Sequence, residues 1–225
     1  MTDPGLNSLL KWGVEHSKDT PSSNSNNNTT STGDAARGID PQALAQLLGG
    51  PSDADLMKDA MAAIVSPNVD LENKLIAFDN YEQLIETIDN ANNQEPLGLW
   101  TPLLGQLENA EPEMRKMAAW CVGTAVQNNP KAQERVLILG GVPTLVRIAV
   151  GDANEQVRRK AIYALSSAVR NYQPALDEAG KHLPAEIVAA ADGPEKKKLD
   201  AADMDQIDRV MQALREASQA KQASS

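Results

Sequence analysis

Apolar positions recur along the chain with the spacing of helices and not of strands. The clearest stretch is RKMAAWCVGTAVQNNP (115–130), which is apolar on nearly every side and ends in amides before a proline. A second stretch, RRKAIYALSSAVRNYQP (158–174), repeats this pattern with different residues. Runs of β-branched residues with a period of two, which would indicate strands, are hard to find. The pattern therefore predicts an all-α protein.

The helix boundaries follow from capping signals. Asp40 and Pro41 resemble an N-cap followed by a proline in the first turn, and the Gly49-Gly50 pair ends that helix. Asp70 is the expected cap of the longest helix. The remaining predicted helices cover residues 53–65, 68–93, 97–107, 113–128, 131–139, 143–150, 154–171, 183–190 and 203–220, with a shorter piece around Leu176 and a loop at ADGPEKKK (191–198).

The two similar stretches are part of a repeat. A shift of 43 residues pairs Arg115 with Arg158, Trp120 with Tyr163, Ala125 with Ala168 and Asn128 with Asn171. One unit earlier, a shift of 42 pairs Phe78 with Trp120. A period in the forties with two or three helices per unit is typical of armadillo and HEAT arrays. We therefore predict an armadillo-like helical repeat solenoid, in which stacked units bury one another's apolar faces.

The array is expected to be preceded by a disordered segment. TPSSNSNNNTTSTG (20–33) cannot bury enough apolar surface to offset the loss of chain entropy. The predicted organisation is a mobile N-terminal segment at 1–19, a disordered linker at 20–38, helical repeats at 39–191, and a loop with a C-terminal capping helix at 192–225.

A helix that is apolar on all sides must be covered on all sides, as the innermost helix of an array is. In the helix predicted at 113–128, small residues such as Ala118 and Gly123 allow close approach of neighbouring helices, and Trp120 fills a larger gap. The single cysteine, Cys121, is interpreted as a small core residue. One cysteine cannot form an internal disulfide, which suits a reducing compartment.

Composition and charge narrow the class of protein. Of the 225 residues, 41% are hydrophobic but only 3% aromatic, so the core must consist mainly of aliphatic residues. The net charge of -10 opposes binding to nucleic acid. No segment approaches the roughly 20 apolar residues that a membrane-spanning helix needs, and the N-terminus lacks the features of a secretory signal. We expect a cytoplasmic monomer without membrane association.

The sequence contains no catalytic constellation. His16 and His182 have no neighbour at helical spacing that suggests a metal site, and neither a P-loop nor a dinucleotide fingerprint occurs. We therefore expect no enzyme activity, no catalytic residues, no bound metal and no cofactor. Binding to another protein is the function that remains.

Amides accumulate where the long helices end, in DNANN (89–93), QNN (127–129) and RNY (170–172). One Asn per helix would be explained by C-capping, because Asn tolerates the left-handed conformation. Several amides at equivalent places in successive repeats also fit a polar strip along one edge of the solenoid. Both interpretations remain open.

A short apolar peptide precedes the linker. LNSLLKWGV places Leu6, Leu9, Leu10 and Val14 on one helical face with Trp12 beside it. This segment suits a tethered binding peptide, or alternatively a helix that caps the first repeat of the array.

Several blocks of the sequence resemble a known family. LLKWGVEHS, GGPSDADLMKDAMAAI, VDLENKLIAFDNYEQLIETIDNANN, GLWTPLLGQL and GTAVQNNPKAQE occur in the order and spacing of the cytosolic armadillo-type nucleotide exchange factors of seventy-kilodalton heat-shock chaperones, known in fungi as Fes-one. The resemblance runs from about residue 6 to 171 and weakens afterwards.

The resemblance implies a partner and a mechanism. A concave armadillo surface is expected to embrace one lobe of the chaperone's nucleotide-binding domain, displace the other lobe and weaken ADP binding, so that the client is released. It also implies that the N-terminal segment acts as a pseudo-substrate in the chaperone's peptide groove. We place the chaperone contacts on the amide-rich helix ends: Asp89, Asn90, Ala91, Asn92, Asn93, Asn128, Asn129, Asn171 and Tyr172. Replacing Ala91 by Arg is expected to abolish binding without unfolding the array.

Two other functions compete with this one. Armadillo scaffolds that bind extended peptides resemble ladders of Trp with Asn four residues later, but here Trp120 is followed at that spacing by Thr124 and Tyr163 by Ser167. An assembly adaptor would use the same solenoid without affecting nucleotide exchange.

Overall fold

A computed structural model describes residues 51–192 and 198–223 of the chain, and every regular element in these ranges is helical. The predicted all-α class is thus confirmed. The predictions for the N-terminal segment, the linker, the helix after Asp40 and most of the loop at 191–198 lie outside the described residues. The described helices all belong to one compact unit, Asp53–Ser225.

Helices follow one another with short connections. They are α1 (Asp53–Val65), α2 (Leu71–Ile85), α3 (Ile88–Asn93), α4 (Trp100–Gly105), α5 (Pro112–Val126), α6 (Pro130–Ile138), α7 (Gly141–Gly151), α8 (Glu155–Val169), α9 (Gln173–His182), α10 (Ala185–Asp192) and α11 (Met204–Ala223), and a short 3-10 turn, Gln106–Glu108, extends α4. Asp70 caps α2 as predicted, because its Oδ1 accepts a hydrogen bond of 2.9 Å from the backbone N–H of Asn73.

The prediction of a single helix at 68–93 is wrong. The helix α2 ends at Ile85. Thr87 adopts an extended conformation (φ -79°, ψ 137°), from which its side chain caps the next helix, α3. Threonine is a preferred N-cap, so the capping bond to the N–H of Asn90 stabilises the break. The helix predicted at 97–107 begins later, at Trp100, because Gly98 has a φ of +69°. Most other boundaries differ from prediction by a few residues.

Four helices stack in chain order to form the centre of the array. We call α2, α5, α8 and α11 the inner helices, because α2 packs on α5, α5 on α8 and α8 on α11. The helices from α3 onward form three-helix units, α3–α5, α6–α8 and α9–α11, and α1 packs on α2 before them. This arrangement confirms the predicted repeat.

The helix α5 is buried on most of its sides, as predicted. Ala118, Ala119, Cys121 and Val122 are 0% exposed. Burial strongly raises the pKa of the Cys121 thiol, which keeps it protonated and supports the interpretation of this residue as core. At Gly123, a Cβ atom would lie 2.4 Å from a ring carbon of Tyr163, so the glycine allows α5 and α8 to approach closely.

The last inner helix is buried on one side only. Ile207, Val210 and Leu214 of α11 pack into the core, whereas Asp205 and Glu216 are exposed. This polar outer face is of the kind that a terminal repeat needs.

Candidate partner-binding surface

The residues predicted to contact a partner lie in the segments that follow three of the inner helices. We call these segments the repeat tips: residues 86–94 after α2, which include the short helix α3, and the turns 127–129 after α5 and 170–172 after α8. The helix α3 in the first tip contacts α6, which follows the second tip, and α6 contacts α9, which follows the third. The Nε2 atom of Gln133 in α6 donates to the carbonyls of Ser167 (2.9 Å) and Arg170 (3.0 Å), which ties the helix after the second tip to the third tip. The tips therefore follow one edge of the array.

Asn128 and Asn171 occupy equivalent positions in successive tips. Their φ angles are 52° and 57°, in the left-handed region that Asn tolerates better than most residues. Both side chains are exposed. These two asparagines therefore end their helices in the way that the capping interpretation requires, and each still presents its amide to solvent.

Two other predicted asparagines hold the tips together from inside. Asn129 is 3% exposed; its Oδ1 accepts from the N–H of Ala132, and its Nδ2 donates to the carbonyl of Ala125 at 3.2 Å. Asn90 is 7% exposed and donates to a carboxylate oxygen of Asp53 (2.8 Å) and to the carbonyl of Leu84 (2.9 Å). Because these amides are already engaged and buried, they shape the surface and do not form it.

Ala91 is also buried, at 2% exposure, yet it borders a pocket. This pocket has a volume of about 230 Å³ and is lined by Asn92, Trp100 and Lys131, among others. The Oδ1 atom of Asn92 is buried and has no hydrogen-bond partner among the described residues. An arginine at position 91 would have to grow into this space, so it would strain the packing as well as alter the surface.

The accessible part of the tips is polar. Asp89, Asn93, Asn128 and Asn171 are exposed, and Tyr172 lies half-buried against the core. Burial raises the pKa of Tyr172, which keeps its hydroxyl neutral and available for hydrogen bonding. The predicted site thus divides into four exposed residues, two partly exposed ones (Asn92 and Tyr172) and three buried ones.

A cluster of side chains on the inner helices was not predicted from the sequence. The Lys160 ammonium lies 3.7 Å from the centroid of the Trp120 ring and 5.8 Å from that of Tyr163, within the range of cation–π attraction. Burial lowers the pKa of Lys160, and the nearby Glu82 carboxylate opposes this effect. The repeat offered a signal, because Trp120 and Tyr163 occupy equivalent positions and Lys160 precedes Tyr163 by one turn.

A hydrogen bond next to this cluster joins the first two inner helices, α2 and α5. The Thr124 hydroxyl donates to a carboxylate oxygen of Glu82 at 2.7 Å, and Glu82 is only 6% exposed. The inner helices thus carry side chains that are fixed by their neighbours, which suits a rigid binding surface.

Within the ranges that the structure covers, no group of three His, Cys, Asp or Glu side chains is placed to hold a metal ion. His182 lies 3.1 Å from Glu178, one helical turn away, and this pair is exposed. No helix in the described part of the chain is long and apolar enough to span a membrane.

Two family profiles match the sequence and together cover most of it. One, described as nucleotide exchange factor Fes1, matches residues 6–94, and the other, the SIL1/FES1/HPBP1 C-terminal domain, matches residues 90–183. The Hsp70 nucleotide exchange factor FES1 of Gibberella zeae is 54% identical over 220 residues, which are 96% of this chain and 98% of that protein. The chain belongs to the Fes1 family.

Other members of the Fes1 family are similar over nearly their full length. The Hsp70 nucleotide exchange factor FES1 of Coccidioides immitis is 54% identical over 95% of this chain and 98% of its own. The fes-1 protein of Neurospora crassa, which carries the same description, is 49% identical over 95% of this chain and 97% of its own. The family resemblance noted in the sequence is therefore confirmed.

One solved structure shares the fold. The crystal structure of an engineered protein from a structural genomics consortium superposes with a TM-score of 0.51 at 17% identity, covering 80% of this chain and 72% of the other. At this identity the likeness concerns the fold alone.

Proposed function

We propose that this chain is a nucleotide exchange factor for a cytosolic Hsp70 chaperone. It binds the chaperone's nucleotide-binding domain, accelerates ADP release and thereby promotes release of the client polypeptide. The observation that carries the proposal is identity of 54% over nearly the whole chain with relatives described as Hsp70 nucleotide exchange factors. The stacked array supports it, since it supplies a long, rigid surface of the kind that such binding needs.

The proposed mechanism requires no bond-making chemistry. The array binds the open arrangement of the chaperone lobes more tightly than the ADP-bound one, so ADP and the array weaken each other's binding. Such coupling is typically about 1–3 kcal/mol, or roughly 5- to 150-fold in affinity. A rigid array is needed, because a flexible one would adapt to the closed lobes. The largely buried pair of Arg115 and Asp152, with a shortest distance of 2.7 Å between α5 and the end of α7, supports such rigidity.

The exposed residues of the repeat tips supply the polar contacts in this proposal. Asp89, Asn93, Asn128 and Asn171 face the chaperone, together with the partly exposed Asn92 and Tyr172. The buried Asn90, Ala91 and Asn129 fix the shape of this edge. The protein acts as a monomer in the cytoplasm and has no catalytic role.

The N-terminal segment has a separate role in the proposal. Leu6, Leu9, Leu10, Trp12 and Val14 form a short apolar peptide that occupies the chaperone's peptide groove and prevents client rebinding. The linker at 20–38 tethers this peptide and raises its effective concentration next to the groove. These residues lie outside the described part of the chain, so sequence character and family membership support this role.

The test of exchange activity is release of fluorescent ADP from the purified chaperone in a stopped-flow experiment. We expect saturating amounts of the chain to accelerate release by about fivefold or more, because a change in affinity of that typical size falls mostly on the dissociation rate. A scaffold or an adaptor would leave the rate unchanged, and that result would contradict the proposal.

Deletion of residues 1–19 tests the N-terminal segment. The shortened chain should accelerate ADP release like the full chain but should release a labelled client peptide more slowly. Loss of exchange activity would mean instead that the segment belongs to the folded array.

A further inference from the structure

Two arginines stand apart from the others in the described part of the chain. Arg209 is engaged, and five other arginines each have a defined partner: Arg115 with Asp152, Arg135 with Glu95, Arg147 with Glu108, Arg158 with Ser218 and Arg170 with Asp208. Arg159 and Arg215 have neither a hydrogen bond nor an ion pair to any described residue, and both are exposed. Both line the same pocket, although one lies on α8 and the other on α11.

This pocket lies between the last two inner helices. Its volume is about 450 Å³, and its other lining residues are Glu155, Ile162, Tyr163, Ser166, Ser218 and Gln219. The Tyr163 ring that borders it is the one near the Lys160 ammonium. The pocket therefore adjoins the cluster of fixed side chains on the inner helices.

Two serines add further hydrogen-bond donors to the pocket. Ser218 is 4% exposed, and its Oγ accepts a hydrogen bond of 2.7 Å from Nε of Arg158. The Oγ of Ser166 accepts one of 3.0 Å from Nε of Arg170. A hydroxyl can accept and donate at once, but neither serine proton has an acceptor among the described residues. A buried donor without an acceptor is unfavourable, so the Ser218 proton favours a ligand that accepts, and the half-buried Ser166 can donate to the same ligand.

The charge of the pocket also favours a ligand that accepts hydrogen bonds and carries a negative charge. Glu155 is the one carboxylate among the lining residues, against the guanidinium groups of Arg159 and Arg215. This leaves an excess of positive charge at one place in a chain whose net charge is -10. A nucleic acid would be repelled by the rest of the surface, whereas a single carboxylate feels mainly the local charge.

We propose that the pocket of Arg159 and Arg215 receives the carboxylate of an Asp or Glu side chain on the surface of the protein partner. Guanidinium groups match a carboxylate geometrically, and the serine protons can complete its hydrogen bonds. The proposal rests on the proposed function, in which the partner is an Hsp70 chaperone. The last two inner helices then bind a carboxylate of the partner, in addition to the polar contacts that the repeat tips make.

The test compares Arg159→Gln, Arg215→Gln and the double variant with the wild-type chain in titrations against the nucleotide-free chaperone. Each single change should weaken binding about tenfold, the scale of one charge-assisted hydrogen bond, and the double variant more. Binding of the double variant to the chaperone should also depend less on salt concentration than binding of the wild-type chain. Arg209→Gln is the matched control, because Arg209 is exposed on α11 but does not line the pocket. Circular dichroism and urea unfolding verify that each variant is folded.

The outcomes distinguish this proposal from the proposed function. If the wild-type chain accelerates ADP release and the folded double variant binds with wild-type affinity, the pocket is not a contact and the proposal is overturned alone. If the wild-type chain neither binds the chaperone nor accelerates release, both proposals fail.

A further variant identifies the acidic group. Arg215→Lys places an amine in the pocket that a carbodiimide can couple to an adjacent carboxylate. Mass spectrometry of the complex should find the introduced lysine joined to one Asp or Glu of the chaperone. A complex that forms at wild-type affinity without this crosslink would count against a carboxylate in the pocket.

Discussion

Arg115 and Arg158 make equivalent hydrogen bonds in successive units of the array. The Nη1 atom of Arg115 donates to the carbonyls of Asn109 and Ala110, both at 2.8 Å. The Nη1 atom of Arg158 donates to the carbonyls of Asp152 and Ala153, at 2.8 and 3.1 Å, and these two residues lie 43 positions after Asn109 and Ala110. Each arginine thus secures the turn before its own inner helix. Their remaining nitrogens reach into the following unit, so each guanidinium joins two units.

Replacing Asp152 by Asn should destabilise the array. Arg115 donates to both carboxylate oxygens of Asp152, at 2.7 and 3.0 Å. The two side chains are only 17% and 7% exposed, so the substitution would leave a largely buried cation without its counter-ion. We expect a loss of about 3 kcal/mol in the free energy of unfolding, measured by urea titration at pH 7. Asp177→Asn, which removes the exposed pair with Lys198, should change it by less than about 1 kcal/mol.

The same pair should make stability depend on acid. Burial opposes ionisation of Asp152, but hydrogen bonds from Arg115 and from the N–H of Asn154 outweigh it and hold the pKa below its ordinary value of 3.8. A carboxyl with a lowered pKa stabilises the fold above the unfolded pKa and loses that contribution as the pH falls through the folded pKa. The stability difference between wild type and Asp152→Asn should therefore be constant at neutral pH and shrink below 3.8. A difference that stays constant into strong acid would contradict this.

Gly123→Ala should destabilise the array although alanine is the better helix former. The new Cβ would lie 2.4 and 2.6 Å from ring carbons of Tyr163 and 3.1 Å from the Cα of Ala164. The two inner helices would have to separate, at a cost of about 1–3 kcal/mol. Gly105→Ala is the control, because its Cβ position faces open space, and it should be neutral or slightly stabilising. Thermal unfolding of the two variants measures the difference. Equal melting temperatures would show that the close approach of α5 and α8 does not contribute to stability.

Substitutions of Asn128 should separate its two possible roles. Because its φ is 52°, Asn128→Ala should lower the free energy of unfolding by about 1 kcal/mol, whereas glycine adopts this conformation readily. Asn128→Gly therefore removes the amide while it preserves the turn. If the tips contact the chaperone, this variant should bind more weakly at unchanged stability. Wild-type binding by Asn128→Gly would restrict Asn128 to capping. Asn171, with a φ of 57°, offers the equivalent test.

Ala91→Arg should abolish chaperone binding and also strain the array. The side chain must enter the pocket of about 230 Å³ beside Asn92, next to the positive charge of Lys131. We expect a stability loss of about 1–3 kcal/mol, with the fold retained. Binding should be measured on protein whose helicity has been verified by circular dichroism. Ala91→Ser is the control, and it should bind nearly as wild type. Wild-type affinity in the folded arginine variant would remove Ala91 and its surroundings from the interface.

The repeat and its inner helices were predictable because they depend on local pattern. A helix such as α5, apolar on every side, requires neighbours, and the pairing of Arg115 with Arg158 is visible at a fixed shift. The end of α2 before Thr87 was not predicted because the apolar spacing continues across it. The hydroxyl of Thr87 caps a new helix there by accepting from the N–H of Asn90.

The candidate site was less predictable because it depends on which side of each turn faces the core. Amides cluster at the tips in the sequence, and Pro130 marks Asn129 as an N-cap, but the pattern does not tell that Asn129 is 3% exposed while Asn128 is exposed. The pocket of Arg159 and Arg215 escaped notice for a related reason. It joins residues that are distant in the chain, and they meet only because α11 packs on α8.

The one-sided burial of α11 has a consequence for self-association. A second molecule that docked on the exposed face of α11 would have to dehydrate Asp205 and Glu216. Solvation of these carboxylates therefore opposes growth into head-to-tail filaments, to which stacked helical modules with an apolar end would be prone.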